Sequence, residues 1–95
     1  MPVYIIGDIE VKTPEAYQKY REQAPAIIER HGGTYCVRGG EAQVLEGDWQ
    51  PARLVVLRFP DRASAEAFYN DPDYQPLKAL RQSASAGSLL MVEGV

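Results

Sequence analysis

The chain alternates between stretches with a two-residue hydrophobic period and stretches with a helical one. In residues 3–11 the apolar side chains Val3, Ile5, Ile9 and Val11 fall on one face, which predicts a strand. The pair Thr13-Pro14 is typical of a helix start, and the spacing of the following apolar residues predicts a helix to about His31. The glycines that follow, Gly32-Gly33, predict its end.

The rest of the chain continues this alternation. We predict a strand over 34–38 that bends at Gly39-Gly40 and continues over 43–46, a strand over 53–59, helical segments over 61–69 and 74–82, and a strand over 88–93. The order is β-α-β-β-α-β. It predicts a single ferredoxin-like α+β domain over residues 1–95, with a four-stranded antiparallel sheet and the helices on one face.

The third predicted strand is apolar on both of its faces. We assign Val55 and Leu57 to the helix side, which leaves Leu54 and Val56 beside Ile6 on the open face, the sheet face that the helices do not cover. Tyr4 also lies there. Large apolar groups left in water would each forfeit roughly 1.5–3 kcal/mol. The pattern therefore predicts a homodimer joined through its sheet faces.

Charged and polar groups share this open face by the same alternation. Asp8, Cys36, Arg38 and Arg58 are all predicted to point there. Charges buried in a dimer must be paired or must meet a ligand. Two interpretations stay open: a small-molecule site between the sheets, or an ion pair of Asp8 with Arg38 or Arg58 that only fixes the strand register.

Composition and charge narrow the function classes. The 95 residues carry 10 Lys+Arg against 13 Asp+Glu, a net charge of −3 that argues against non-specific nucleic-acid binding. No stretch approaches the roughly 20 apolar residues of a membrane span, and the N-terminus lacks the basic region of a signal peptide. With one cysteine, Cys36, no intrachain disulfide forms. We expect a cytoplasmic protein that binds neither nucleic acid nor membrane.

No signature of a cofactor or metal is present. A glycine-rich phosphate loop after a strand is missing, and Gly32-Gly33 follows a helix instead. No cluster of His, Cys and Asp has metal-ligand spacing. We therefore expect no bound cofactor and no metal.

Several runs in this sequence resemble a known family. They are Gly32–Gly40 (GGTYCVRGG), Glu46–Pro51 (EGDWQP), Arg58–Pro60, Tyr74 with Arg81, and Val92–Gly94. In this order and spacing they are similar to domain-of-unknown-function family 1330. The resemblance implies a dimeric α+β barrel, in which two ferredoxin-like sheets pack around an internal cavity. Relatives in that superfamily include cofactor-free monooxygenases, lactone isomerases and haem-handling enzymes, but the family has no settled activity. Asp71 stands where a Ser is expected.

The candidate site residues follow from these assignments. Arg38 is expected to bind a developing oxyanion, and Asp8 or Tyr74 to move a proton. Ligand contacts are expected from Arg58, Arg81, Trp49 and Tyr4.

Two further residues carry open alternatives. His31 is either an acid-base group or a structural imidazole at a helix C-terminus. Cys36 is either a nucleophile or a small apolar filler.

Two functions of different classes remain. One is a small cofactor-independent enzyme that acts on a hydrophobic organic acid, ketone or lactone. The alternative is a non-catalytic dimeric module that binds a small ligand or is purely structural. The first predicts an open cavity with an unpaired arginine, and the second predicts a filled interior in which every charge is satisfied.

Overall fold

A computed structural model describes all 95 residues of the chain. The strands and helices, in chain order, are β1 (Val3–Val11), α1 (Pro14–Arg30), β2 (Thr34–Arg38), β3 (Leu54–Phe59), α2 (Arg62–Tyr69), α3 (Gln75–Ala84) and β4 (Ser85–Glu93). The predicted order is confirmed, with the second helical region divided into α2 and α3 around Asn70-Asp71-Pro72, where the sequence predicts an interruption.

The four strands form one antiparallel sheet in the order β2-β3-β1-β4. Val3, Ile5 and Ile9 of β1 are buried toward the helices, while the residues between them are partly exposed on the opposite face. Leu57 and Phe59 of β3 are likewise buried on the helix side, as predicted. The protein has the ferredoxin-like α+β fold.

The segment between β2 and β3 departs from the prediction. Residues 43–46, expected to continue the second strand, form no strand. The loop from Gly39 to Arg53 instead leaves the sheet and exposes Val44 and Leu45, the latter 86% accessible. Conversely, β4 begins at Ser85, three residues before the predicted Ser88, and pairs with β1 along that strand's whole length.

A β-bulge in β2 overturns the predicted orientation of Arg38. Tyr35 lies opposite Leu57, but Val37 lies opposite Val56, so Cys36 is an extra residue without a partner. An inserted residue reverses which face the following side chains occupy. Arg38 therefore lies opposite Val55 on the helix side, and the prediction that it faces outward was wrong.

The core lies between the sheet and the helices. Phe59 stacks on Phe68 with ring centroids 5.4 Å apart, and Phe68 contacts Tyr74 at 4.4 Å. The α2 helix that carries Phe68 is capped by Asp61, whose carboxylate accepts a hydrogen bond from the Ser64 amide at 2.8 Å. These contacts hold α2 and the start of α3 against β3.

The turn from α1 into β2 depends on a glycine in a crowded position. A Cβ at Gly33 would lie 2.6 Å from the Phe59 ring and 2.7 Å from Ile28. We expect Gly33→Ala to lower the free energy of unfolding by about 1–3 kcal/mol, because the core must shift to admit the methyl group. Urea denaturation measures the loss. Gly40→Ala, where a Cβ meets no atom within 4 Å, is the control and should be nearly neutral. Equal effects of the two substitutions would refute the packing explanation.

None of the three helices is long and apolar enough to cross a membrane.

Candidate functional site

A cavity lies between the helices and the sheet, on the side opposite to the open face. Its enclosed volume is about 40 Å³, and it opens to solvent at one side. A buried water needs roughly 10–15 Å³. The enclosed part therefore has room for a group of a few heavy atoms, such as a carboxylate. We call this space the helix–sheet cavity; its polar lining consists of Tyr17, Tyr20, Tyr35, Tyr74, Arg21, Arg38, Arg53 and Arg81.

Two tyrosine hydroxyl groups meet in the cavity wall. The Tyr20 and Tyr74 oxygens are 2.8 Å apart and share a hydrogen bond, in which either can be the donor. Tyr74 is 1% exposed, so it belongs to the interior of the protein and not to its surface. Burial, reinforced by the neighbouring Tyr74, raises the pKa of Tyr20 far above its ordinary value. Tyr20 therefore stays neutral at physiological pH and can share this hydrogen bond with Tyr74.

The wall from β2 and β3 presents guanidinium groups. Arg38 lies over the Tyr35 ring, 4.5 Å from its centroid, and its Nη2 donates to the main-chain oxygen of Arg21 at 2.9 Å. The Arg53 guanidinium packs against the backbone of Gly39 and fills the space that a side chain there would need; the φ of +72° at Gly39 also favours glycine. Burial raises the pKa of Tyr35 despite the nearby Arg38, so this tyrosine stays neutral as well.

Arg81 is the most buried charge of the cavity. It is 9% exposed, although α3 is amphipathic and a surface arginine would be ordinary there. Its guanidinium carbon lies 6.0 Å from the Tyr20 ring centroid. Its Nε has no hydrogen-bond acceptor. A buried charge with a donor that lacks an acceptor is costly in a folded protein, so the Nε of Arg81 is available to a ligand oxygen.

No carboxylate balances these arginines. The cavity lining contains four arginines and no Asp or Glu. The ion pairs of the structure involve other residues, and the buried Nε atoms of Arg21 and Arg53 lack acceptors just as Arg81 does. The helix–sheet cavity is therefore strongly positive inside a chain of net charge −3, an arrangement that attracts an anion.

Of the seven predicted site residues, three lie together in this cavity. Arg38, Arg81 and Tyr74 all line it. The structure thus brings these three predicted residues together, but in a space beneath the helices and not between two sheets.

Asp8 lies on the open face, and its partners differ from those considered. Its carboxylate accepts hydrogen bonds from the Trp49 indole nitrogen and the Ala52 amide, both at 2.9 Å. The proposed pairing with Arg38 or Arg58 is therefore wrong. These hydrogen bonds, first that from Trp49, lower the pKa of Asp8, which makes it a poor base. Asp8 holds the loop between β2 and β3 against the sheet.

The other predicted ligand contacts also lie outside the cavity. Trp49 is 61% exposed on the loop. Tyr4 and Arg58 lie opposite each other in the β1–β3 register on the open face. Cys36 is exposed at the bulge. None of these four residues lines the helix–sheet cavity.

His31 belongs to a polar cluster at the end of α1. Its Nε2 lies 2.7 Å from the Asp71 carboxylate, which also accepts from Arg30 at 3.0 Å and from the Asp73 amide at 2.8 Å. These contacts, first that with His31, lower the pKa of Asp71. These contacts give Asp71 and His31 a structural role in joining α1 to the start of α3.

Sequence reasoning missed Arg21 and Arg53 and treated Tyr20 and Tyr35 as ordinary. A local signal exists for Arg21: it follows Tyr17 by four residues, so both occupy one face of α1. The position of Arg53 could not be found in this way, because it depends on the path of the loop before β3.

Comparisons with known proteins agree with this fold. The crystal structure of RPA0582, a protein of unknown function from Rhodopseudomonas palustris, superposes with a TM-score of 0.81 at 20% identity, covering 99% of this chain and 82% of that one. SnoaB, a cofactor-independent oxygenase from Streptomyces nogalater, superposes with a TM-score of 0.71 at 13% identity. The match covers 99% of this chain and 93% of SnoaB. A dimeric ferredoxin-like protein of unknown function from Jannaschia sp. CCS1 superposes with a TM-score of 0.66 at 16% sequence identity. The match covers 99% of this chain and 100% of that one.

At these identities the structural matches show the fold alone. A comparison with curated proteins finds no match. The family model described as "Domain of unknown function (DUF1330)" matches residues 2–95, which is nearly the whole chain. The chain therefore belongs to the DUF1330 family.

Proposed function

We propose that the protein binds a small organic anion, the carboxylate of a hydrophobic acid or the enolate of a ketone, in the helix–sheet cavity. The observation that carries this proposal is Arg81, a buried guanidinium with an unmet donor beside the hydrogen-bonded Tyr20–Tyr74 pair. Arginine recognises a planar oxyanion through two parallel hydrogen bonds and stays charged at every physiological pH. Together with a tyrosine hydroxyl, it forms a site for negative charge that develops on oxygen.

This site also supports a reaction without a cofactor. A carbonyl compound that gives up an α-proton to solvent water or hydroxide becomes an enolate, and the new charge resides on the oxygen that Arg81 and the tyrosines would bind. Interactions that strengthen as charge develops are those that accelerate a reaction. The likeness to SnoaB, described as a cofactor-independent oxygenase, is compatible with such chemistry but shows only that the fold accommodates it.

A non-catalytic binding module remains the second candidate, because one observation favours it. No Asp, Glu or His lines the cavity, so no side chain is placed there to accept a proton from carbon. Deuterium exchange separates the two candidates: an enzyme would accelerate the exchange of the α-protons of levulinate in D₂O, while a binding module would bind levulinate and leave the exchange rate unchanged.

Acetylacetone tests the electrostatic part of the proposal. It ionises in water to an enolate that absorbs in the ultraviolet, with the proton passing to solvent. An opposite charge close by lowers an acid's pKa by about 1–3 units. We therefore expect saturating protein to lower the pKa of acetylacetone by that amount, as measured by absorbance across a pH titration. Arg62→Met, which removes an exposed guanidinium on α2, is the control and should behave as wild type. An unshifted titration in the presence of wild-type protein would refute the proposal.

We further propose that the chain forms a homodimer through the open face. Tyr4, Ile6, Leu54 and Val56 are only partly covered there, and Leu90 of β4, opposite Ile6, is 54% exposed. The structural neighbour from Jannaschia sp. CCS1 is described as dimeric. An apolar surface of this extent is typical of a protein interface. The loop that carries Trp49 borders the same face and would add its exposed apolar residues to the contact.

A further inference from the structure

The arginines of the helix–sheet cavity form two separate groups. Arg81 comes from α3, which contacts β4 at one edge of the sheet, and it lies beside Tyr20 and Tyr74. We call this the inner position. The other arginines, Arg21, Arg38 and Arg53, gather around the opposite edge, where β2 is the last strand, and we call them the outer group.

The outer group is held in place by contacts that leave its charges unpaired. The Arg38 hydrogen bond to the main-chain oxygen of Arg21 uses a neutral acceptor, so it fixes geometry without cancelling charge. The Arg38 guanidinium lies over the Tyr35 ring, and the Arg53 guanidinium packs against Gly39. The Nε atoms of Arg21 and Arg53 are buried and have no acceptor. The Nε of Arg81, at the inner position, likewise lacks a hydrogen-bond acceptor.

The rest of the cavity wall is apolar. Ile5, Ile9, Val55, Leu57 and Leu89 line it together with the arginines and tyrosines. An apolar lining with a few convergent charged groups is typical of small-molecule sites, and the positions of those groups determine which ligand is accepted.

One monoanion cannot satisfy both groups of arginines. A single carboxylate at Arg81 would leave the outer guanidinium groups as they are, and buried donors without acceptors weaken binding. The cavity volume of about 40 Å³ fits one carboxylate-sized group, so a second anionic group would lie at the open mouth of the cavity, beside the outer arginines.

We infer that the ligand carries two anionic oxygen groups joined by a short apolar segment. The class comprises small dicarboxylates and keto acids whose enolate supplies the second charge. One group binds at Arg81 and the Tyr20–Tyr74 pair, and the other binds to the outer arginines. This inference rests on the proposed function and adds to it the charge and the bifunctional shape of the ligand.

Isothermal titration calorimetry with carboxylates of matched length tests this inference. The probes are succinate, glutarate and adipate, each compared with the monocarboxylate of equal carbon number: butyrate, valerate and hexanoate. We expect the best dicarboxylate to bind roughly 10- to 100-fold more tightly than its monocarboxylate partner, the gain typical of a second charge-assisted contact. Equal affinities within each pair would overturn the inference while leaving the proposed function intact. Failure of every probe to bind would overturn both.

Substitution of the outer group gives an independent result. Arg53→Met should remove the preference for dicarboxylates and leave monocarboxylate affinity within about twofold, because Arg81 is unchanged. Arg38→Met carries the same expectation and serves if the first variant does not fold. The Arg62→Met control should keep the wild-type preference. If both Arg53→Met and Arg38→Met keep the wild-type preference for dicarboxylates over monocarboxylates, the second anionic group does not bind to these arginines.

Discussion

Arg81→Met is expected to weaken glutarate binding by at least roughly 30-fold and, at the same time, to stabilise the ligand-free protein. The first effect follows from the removal of a buried charge partner, which typically costs an anion about 2–5 kcal/mol of binding free energy. The second follows because the Arg81 Nε, which has no acceptor, loses its hydration when the chain folds. Methionine has a similar length, is apolar and leaves no donor unmet.

The opposite signs of the two effects are the important feature of this prediction. A residue that serves only to support the fold destabilises the protein when it is replaced, whereas a residue retained for binding often does not. We expect the free energy of unfolding to rise by about 1–3 kcal/mol in the absence of ligand. Urea denaturation and calorimetry on the same preparation measure both quantities. Arg62→Met, at a surface ion pair with Glu66, should change stability by less than about 1 kcal/mol and leave affinity unchanged. A destabilised Arg81→Met variant with intact glutarate binding would show that Arg81 is structural.

Leu90→Lys is expected to convert a dimer into a monomer. Leu90 lies in β4 opposite Ile6, within the open face, and is 54% exposed in the single chain. Loss of an apolar side chain at the interface forfeits roughly 1.5–3 kcal/mol, and a symmetric dimer suffers the loss twice. The buried ammonium adds a desolvation cost. Because the side chain is solvated in the monomer, the fold itself should be little affected.

Sedimentation equilibrium at micromolar concentration measures this effect. The wild type should have twice the mass of the 10.6 kDa chain, and Leu90→Lys should have the mass of one chain. Ala67→Lys places the same charge at an exposed position on α2, on the helix side, and should remain dimeric. A wild-type protein at the monomer mass would contradict the proposed interface, as would a Leu90→Lys variant that stays dimeric.

The architecture could be predicted from the sequence because its signals are local. The alternation in β1, the Thr13-Pro14 helix start and the Asp61 cap each act within a few residues. Once the strands and helices are known, few topologies are compatible with them. The division of β3 into Val55 and Leu57 inside, and Leu54 and Val56 outside, follows from the period of two alone.

The site was harder to predict, and the bulge in β2 explains much of the error. Strict alternation places Arg38 with Cys36 on the open face, but the extra residue at Cys36 sends Arg38 to the helix side. A bulge of this kind has no glycine to mark it; the sequence suggests the irregularity at Gly39-Gly40, three residues later. One inserted residue therefore moved the predicted site from one face of the sheet to the other.

The partners of Asp8 could not be predicted for a different reason. The alternation of side chains along β1 places Asp8 on the open face. Trp49 and Ala52, however, contact its carboxylate from a loop whose path is set by tertiary contacts. Arg81 and Tyr74, in contrast, were assigned to ligand binding and catalysis from residue type and resemblance, and both lie in the cavity. Their depth could not be anticipated, because an arginine and a tyrosine on a short amphipathic helix are more often exposed.

The location of the anion is the central claim, and nuclear magnetic resonance of the arginine side chains tests it most directly. In a ¹H–¹⁵N spectrum each Nε–H gives its own signal, and a bound oxyanion shifts the signals of the groups that bind it. On titration with glutarate, we predict large shifts for Arg21, Arg53 and Arg81, whose Nε atoms are buried without acceptors. The signals of Arg58 on the open face and Arg62 on α2 should not move. Shifts confined to Arg58, with the cavity arginines unmoved, would place the ligand between the sheets and contradict the account.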